Sequence, residues 1–333
     1  PDWCQCEHCK ELDREEGNYS DRYLKFVNHI ARGVKKEFPD NRINTFAYTG
    51  TEYAPVKERP ESNVIVVYCP YFGRGRSCVH SWTHPLNANS LFELKGWLDV
   101  APNSMGIAEY NIGYVPSWDA MAQRLKWASE QGIRRVSSYG APTCFRQMWL
   151  YMWDKLRWEP SLDPEKLKAD FVSAYYGAAA PHIMEYLALV KARLQHGYPK
   201  MVYQSSMPPD WYSVSFTRKA LGCFDEALEA VRSDPTVRGR VKEEKALFLA
   251  DYRIAVNLVT DGVSGRGIVS PAPSQRQKRQ AIDVFKRAYL AEQIRRDEEI
   301  ETRLAEKEDE RLREQRKKLR TGLRSGLNAF AGM

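Results

Sequence analysis

Apolar residues along this chain follow two periods, and the alternation between them outlines the elements. Over residues 20–38, Tyr23, Phe26, Val27, Ile30, Ala31, Val34 and Phe38 recur at helical spacing. Ser20 stands at a capping position and Pro39-Asp40 follows, so the pattern predicts an amphipathic helix. A short apolar run then covers 43–48 and breaks into the loop TGTEYAP. The next run, 64–69 (VIVVYC), is almost continuously apolar, as in a strand buried on both faces. A helix over 89–101 puts Leu91, Leu94, Trp97 and Leu98 on one face. A strand beginning at MGIAEY, a helix over 118–133 closed by Gly132, and a strand in RRVSSY come next.

From Phe145 onward the pattern is helical. The aromatic segment 145–160 is one helix, and 163–195 holds two, the first with Asp163 as cap and Pro164 at its first position. Further helices are expected over 215–232 and 238–261. VSGRGIVSPAPSQ reads as a linker, and a charged helix follows over 276–322. Its apolar positions, among them Ile294, Ile300, Leu304, Leu312 and Leu319, are too sparse for a two-stranded heptad seam.

Four strand-loop-helix units with non-alternating strands imply a parallel α/β sheet. A doubly wound open sheet and a (β/α)8 barrel both satisfy this, and both gather functional loops at the carboxyl ends of the strands. Four units make half a barrel, whose other half would precede Pro1. No glycine-rich phosphate loop follows a strand, which counts against nucleotide binding. The expected organisation is βα units over 1–160, a helical region packed on them over 161–262, and a linker and charged tail over 263–333.

Composition changes this picture little. The chain has 333 residues and a formal net charge of +7, with Arg, Lys and Glu crowded into the tail. The interleaved glutamates favour a solvated or self-associating helix over a nucleic-acid contact. No apolar run is long enough for a transmembrane helix. The odd count of seven cysteines, three within Cys4–Cys9, argues against a simple disulfide scaffold. Opening on Pro1, the chain reads as a piece of a longer protein.

The segments WCQCEHC, YLKFVNHIARGV and FPDNRINTFAYTGTEYAP, then HPLN, FELKGWL, EYNIGYVPS and KLRWEPSLDPEKLKADFVSAYYGAAAPHIMEY, occur in an order that resembles a known family. It is the bacterial domain of unknown function 4838, and the likeness runs over residues 1–190. The resemblance implies a relation to the endo-β-N-acetylglucosaminidases of glycoside hydrolase family 163, some members acting on N-acetylglucosamine linkages of complex N-glycans. It further implies the C-terminal half of a (β/α)8 TIM barrel, strands five to eight, followed by an all-α region. A carboxylate general acid after the fourth strand would then lie upstream of the Trp-Cys-x-Cys stretch. A glycan substrate and a secreted or periplasmic location are also implied.

Sugar hydrolysis needs two carboxyl groups, or one carboxyl and the substrate's own acetamide. Glu52, Glu109 and Asp119 stand near strand ends, and Glu109, followed by Tyr110 and Asn111, is the candidate catalytic residue. Its alternative is a structural ion pair with a nearby arginine. Tyr48, Tyr53, Tyr110, Tyr114 and Tyr139 offer faces on which sugar C–H groups stack. Glu52 and Asn111 could contact substrate, Arg74 and Arg76 could clamp an acidic sugar, and His84 precedes Pro85 in the shared His-Pro-Leu. Packing in the core, or a solvated loop, is the alternative for each.

Cys4, Cys6 and Cys9 could share a structural zinc if Cys78, His80 or His8 supplied a fourth ligand. Reduced or disulfide-linked packing cysteines are the competing reading. Catalysis would need no cofactor. Three functions therefore stand: a glycoside hydrolase when complete, a non-catalytic glycan-binding or scaffolding protein, and a zinc-knuckle nucleic-acid-binding protein.

Overall fold

The computed structural model describes residues 3–16, 19–70, 79–111, 114–195 and 211–260. Contacts divide the chain into two units, Pro1–Ser274 and Gln275–Met333, and every described residue belongs to the first. The linker and charged helix expected beyond 262 lie outside the described residues.

Four strands, β1 (Ile43–Ala47), β2 (Val64–Tyr68), β3 (Met105–Tyr110) and β4 (Arg135–Tyr139), form one sheet in the order β1-β2-β3-β4. All three pairings are parallel, with Ala47 opposite Tyr68, Tyr68 opposite Ile107 and Tyr110 opposite Tyr139. A doubly wound sheet reverses its strand order at a switch point. The described strands run in sequence without reversal, as they do in a barrel segment and on either side of such a switch point.

Helix α1 (Glu7–Glu16), which the apolar pattern does not announce, begins within the cysteine cluster and contains Cys9. Helix α2 (Tyr19–Glu37) precedes β1, α3 (Ala88–Val100) joins β2 to β3, α4 (Trp118–Glu130) joins β3 to β4, and α5 (Arg146–Trp158) follows β4. The expected strand-loop-helix repeat fails once, because the β1-to-β2 connection over 48–63 contains no helix. Pro55 and Pro60, five residues apart, oppose one. The segment is held instead by buried polar side chains of α2. Asp21 accepts the backbone N–H groups of Val56, Lys57 and Glu58 at 2.7–2.8 Å. Asn28 accepts from the Glu61 amide and donates to the Arg59 carbonyl.

One face of the sheet is buried beneath helices: Thr45, Ala47, Val64, Val66, Tyr68, Met105, Ile107 and Glu109 all lie there. Polar links cross this layer. Thr45 donates to the Tyr23 hydroxyl on α2, Tyr68 donates to Glu93 on α3, and Arg124 of α4 donates to Glu109. The opposite face is open. Asn44, Phe46, Arg135, Ser137 and Tyr139 are exposed on it, Phe46 to 54% and Tyr139 to 68%. Parallel sheets are ordinarily covered on both faces, so this one has a face without its cover among the described residues.

The remaining helices are α6 (Pro164–Tyr176), α7 (Ala180–Gln195), α8 (Val214–Ala230) and α9 (Pro235–Thr260). Asp163 caps α6 through the Glu165 amide, and Ser213 caps α8 through Phe216. An aromatic core of Phe145, Tyr176, Tyr186, Phe224 and Phe248 joins them to the loop after β4. No described helix is long and apolar enough to cross a membrane.

Candidate functional site

Strand β1 ends in the turn Tyr48-Thr49-Gly50-Thr51. The Thr51 hydroxyl accepts from the Tyr48 amide and donates to the Tyr48 carbonyl, at 3.1 and 3.0 Å. Thr49 has φ +34° and Gly50 φ +104°. A β-branched residue at positive φ is rare and strained, and such strain concentrates at functional sites. Trp3 donates its indole N–H to the Thr49 carbonyl at 3.4 Å. It approaches Gly50 so closely that a Cβ there would meet Nε1 at 2.5 Å. Only glycine fits both the conformation and the contact.

Glu52, two residues on, is 2% exposed. Its Oε2 accepts from the Gly50 amide at 2.6 Å, and its carbonyl accepts from Trp97 Nε1 at 2.9 Å. Its Oε1 is buried and has no hydrogen-bond partner among the described residues. An unsatisfied buried acceptor is costly in an otherwise paired interior.

Tyr48, Tyr110 and Tyr139 stand together at the carboxyl ends of β1, β3 and β4. The Tyr48 and Tyr110 rings are stacked with centroids 6.2 Å apart, and Tyr110 and Tyr139 are tilted at 5.5 Å. They occupy the open face, half-buried to exposed, as an aromatic row beside the Thr49-Gly50 turn.

Glu109 lies on the other side of β3. Arg124 holds both its oxygens, Nε to Oε1 at 3.0 Å and Nη2 to Oε2 at 3.0 Å, with both side chains buried. Strand alternation sends Tyr110 to the open face and Glu109 to the helices. This is the ion-pair alternative, and a carboxylate so committed makes a poor proton carrier. Asn111 is buried beside it, donating to Ser138 Oγ at 2.9 Å and to Glu109 Oε2 at 3.4 Å, and accepting from Ser117.

The other expected contacts disperse. Tyr114 is buried against the helical region, its hydroxyl 2.8 Å from that of Tyr186, and burial pushes its phenol far up. Tyr53 is exposed, donates to Asn89 and packs on Phe92 of α3. His84 caps the short 3-10 turn Pro85–Asn87, its Nδ1 accepting from the Leu86 amide, and its ring stacks on His80 at 3.9 Å. Arg74, Arg76 and Cys78 lie outside the described residues. A cavity of about 510 Å³ at the amino end of β4, lined by Ile133, Val136 and Trp158 among others, is remote from the tyrosine row.

The Cys4, Cys6 and Cys9 sulfurs lie within 4.8 Å of one another and are free thiols. Backbone N–H donation from Cys9 draws Cys6 below the usual thiol value.

One buried acid escaped the pattern reading. Glu244 of α9 accepts from the Phe145 amide at 2.8 Å and from the Tyr176 hydroxyl at 3.3 Å. Phe145 sits at φ +48°, capping α5 in the loop after β4. Burial pushes the Glu244 carboxyl up to about 7. The sequence signal was faint: a Glu at a core-facing position of a helix far along the chain.

The profile of the family described as "Domain of unknown function (DUF4838)" matches residues 1–188. No curated protein and no solved structure matches the chain.

Proposed function

We propose, for a chain that belongs to the DUF4838 family, a carbohydrate-active role: it forms one half of a (β/α)8 barrel and one wall of a glycan cleft. The single observation that carries this reading is the row of Tyr48, Tyr110 and Tyr139 at the carboxyl ends of three parallel strands. Tyrosine rings present an apolar face to sugar C–H groups and a hydroxyl to sugar oxygens. Active sites of such barrels sit at that end.

Several features support the half-barrel. The sheet is wound in one direction with helices on one face. Its first and last strands, β1 and β4, have free edges among the described strands. Both flanks are apolar and exposed: Phe26 and Ile30 on α2 with Phe38 just after it, and Trp158, 92% exposed, at the end of α5. Four further βα units would cover the edges, the flanks and the open face together.

Beneath the cleft, Glu52 holds the Gly50 amide through Oε2 at 2.6 Å and so fixes the turn beside the tyrosine row. Hydrolysis of an N-acetylhexosaminide also needs a proton donor to the leaving oxygen. Glu109 is held by Arg124, so that donor belongs to the other half of the barrel. A second reading, a non-catalytic glycan-binding protein, draws on the same commitment of Glu109.

Assaying the full-length gene product on an N-acetylglucosaminide and on a complex N-glycan separates the readings. Turnover whose KM rises in Tyr110→Ala supports the hydrolase. Saturable binding without turnover supports the binding protein. Neither binding nor turnover overturns the carbohydrate assignment.

A further inference from the structure

We propose that Cys4, Cys6 and Cys9 bind one thiophilic divalent cation, Zn²⁺, through three thiolates, with a fourth position open to solvent. This goes beyond the carbohydrate reading and does not depend on it. Sulfurs on a tetrahedral zinc, each about 2.3 Å from the ion, stand roughly 3.8 Å apart. The three sulfurs lie within 4.8 Å of one another, a limit that includes that spacing.

The local chain explains the clustering. Cys6 immediately precedes α1 and Cys9 lies in its first turn, the Lys10 amide closing that turn on the Cys6 carbonyl at 3.0 Å. A helix N-terminus favours negative charge, here that of thiolates. The Arg22 guanidinium stands beside them, donating to the Cys4 carbonyl at 3.3 Å. Cys4 and Cys6 are exposed, so an ion has access. The other described cysteines, Cys69, Cys144 and Cys223, are each buried, and burial pushes Cys69 to about 12 and Cys223 to about 11. They compete poorly for a metal.

The ion would act on the neighbouring turn. Trp3 adjoins Cys4, stacks on Tyr19 at 5.5 Å and donates to Thr49. Tying residues 4–9 into one cage holds Trp3 over Gly50. Each thiol loses its proton on binding, so affinity rises with pH.

The test is titration of the reduced full chain with Co²⁺ as a spectroscopic probe. We expect a saturable thiolate-to-cobalt charge-transfer band at one equivalent, bleached by Zn²⁺, with a change in tryptophan emission. Cys6→Ser and Cys9→Ser should each weaken binding at least tenfold while helical circular dichroism is unchanged, because these side chains are on the surface. No such band in protein whose three thiols titrate as free would overturn the proposal. So would an unchanged band in the triple serine variant.

Discussion

Arg124 grips Glu109 with two nitrogens and extends a third, Nη1, to the His80 carbonyl at 3.2 Å, its guanidinium 5.5 Å over the Trp82 ring. The pair thus ties β3, α4 and the segment before α3 into one buried junction. Removing one partner of such a pair leaves a charge buried without its counterion. Glu109→Gln should cost about 3–5 kcal/mol in urea denaturation. The double variant Glu109→Leu/Arg124→Met should lose less than either single change. Unaltered stability in Glu109→Gln would contradict the structural role.

Asp21, buried on α2, makes a similar case. Its carboxylate takes three consecutive amides of the helix-free connection, Val56, Lys57 and Glu58. Hydrogen bonds to a charged group are worth about 1.5–3 kcal/mol each, part of which an amide retains. Asp21→Asn should therefore cost about 2–4 kcal/mol. Hydrogen exchange should quicken at those three amides before it does in β2.

Glu244 sets a pH dependence whose sign is opposite to that of a salt-bridged acid. Burial raises its carboxyl from 4.5 to about 7 in the folded chain. The folded state therefore holds the proton longer than the unfolded state. The stability is complete below pH 4.5 and is lost as pH rises toward about 7. The full swing is about 3 kcal/mol. Glu244→Gln still accepts from the Phe145 amide and should flatten this part of the profile. Urea midpoints at pH 5 and pH 8, wild type against variant, measure it.

Gly50→Ala tests the turn beside the tyrosine row. The new methyl would sit 2.5 Å from Trp3 Nε1 at a φ of +104°. Strain at such a position costs about 1–3 kcal/mol. Trp3 should be displaced and its emission shifted, with weaker glycan binding as the consequence. A variant as stable as wild type with unmoved emission would remove Trp3 from the turn.

Much of this architecture was legible from periodicity. The strand runs at 43–48 and 64–69 and the helices at 20–38, 89–101 and 118–133 form close to where their patterns placed them. The connection over 48–63 was harder, because its support comes from Asp21 and Asn28, polar residues inside a helix that period-based reading assigns to solvent. The tyrosines were found as a group, but which of them met was not. Tyr110 closes β3 opposite Tyr139, whereas Tyr114 lies beyond the strand, buried against Tyr186. For Glu109 the sequence gives the strand end but not the face. Its parity with Ile107 and Met105, both core residues, was the available signal.

The most direct measurement of the central claim is isothermal titration of an N-acetylglucosamine oligosaccharide into the full-length gene product and its Tyr110→Ala variant. The account expects saturable binding that weakens about tenfold on loss of the ring, about 1.4 kcal/mol, with the fold intact. Equal affinity in the two proteins, or no heat in either, would contradict it.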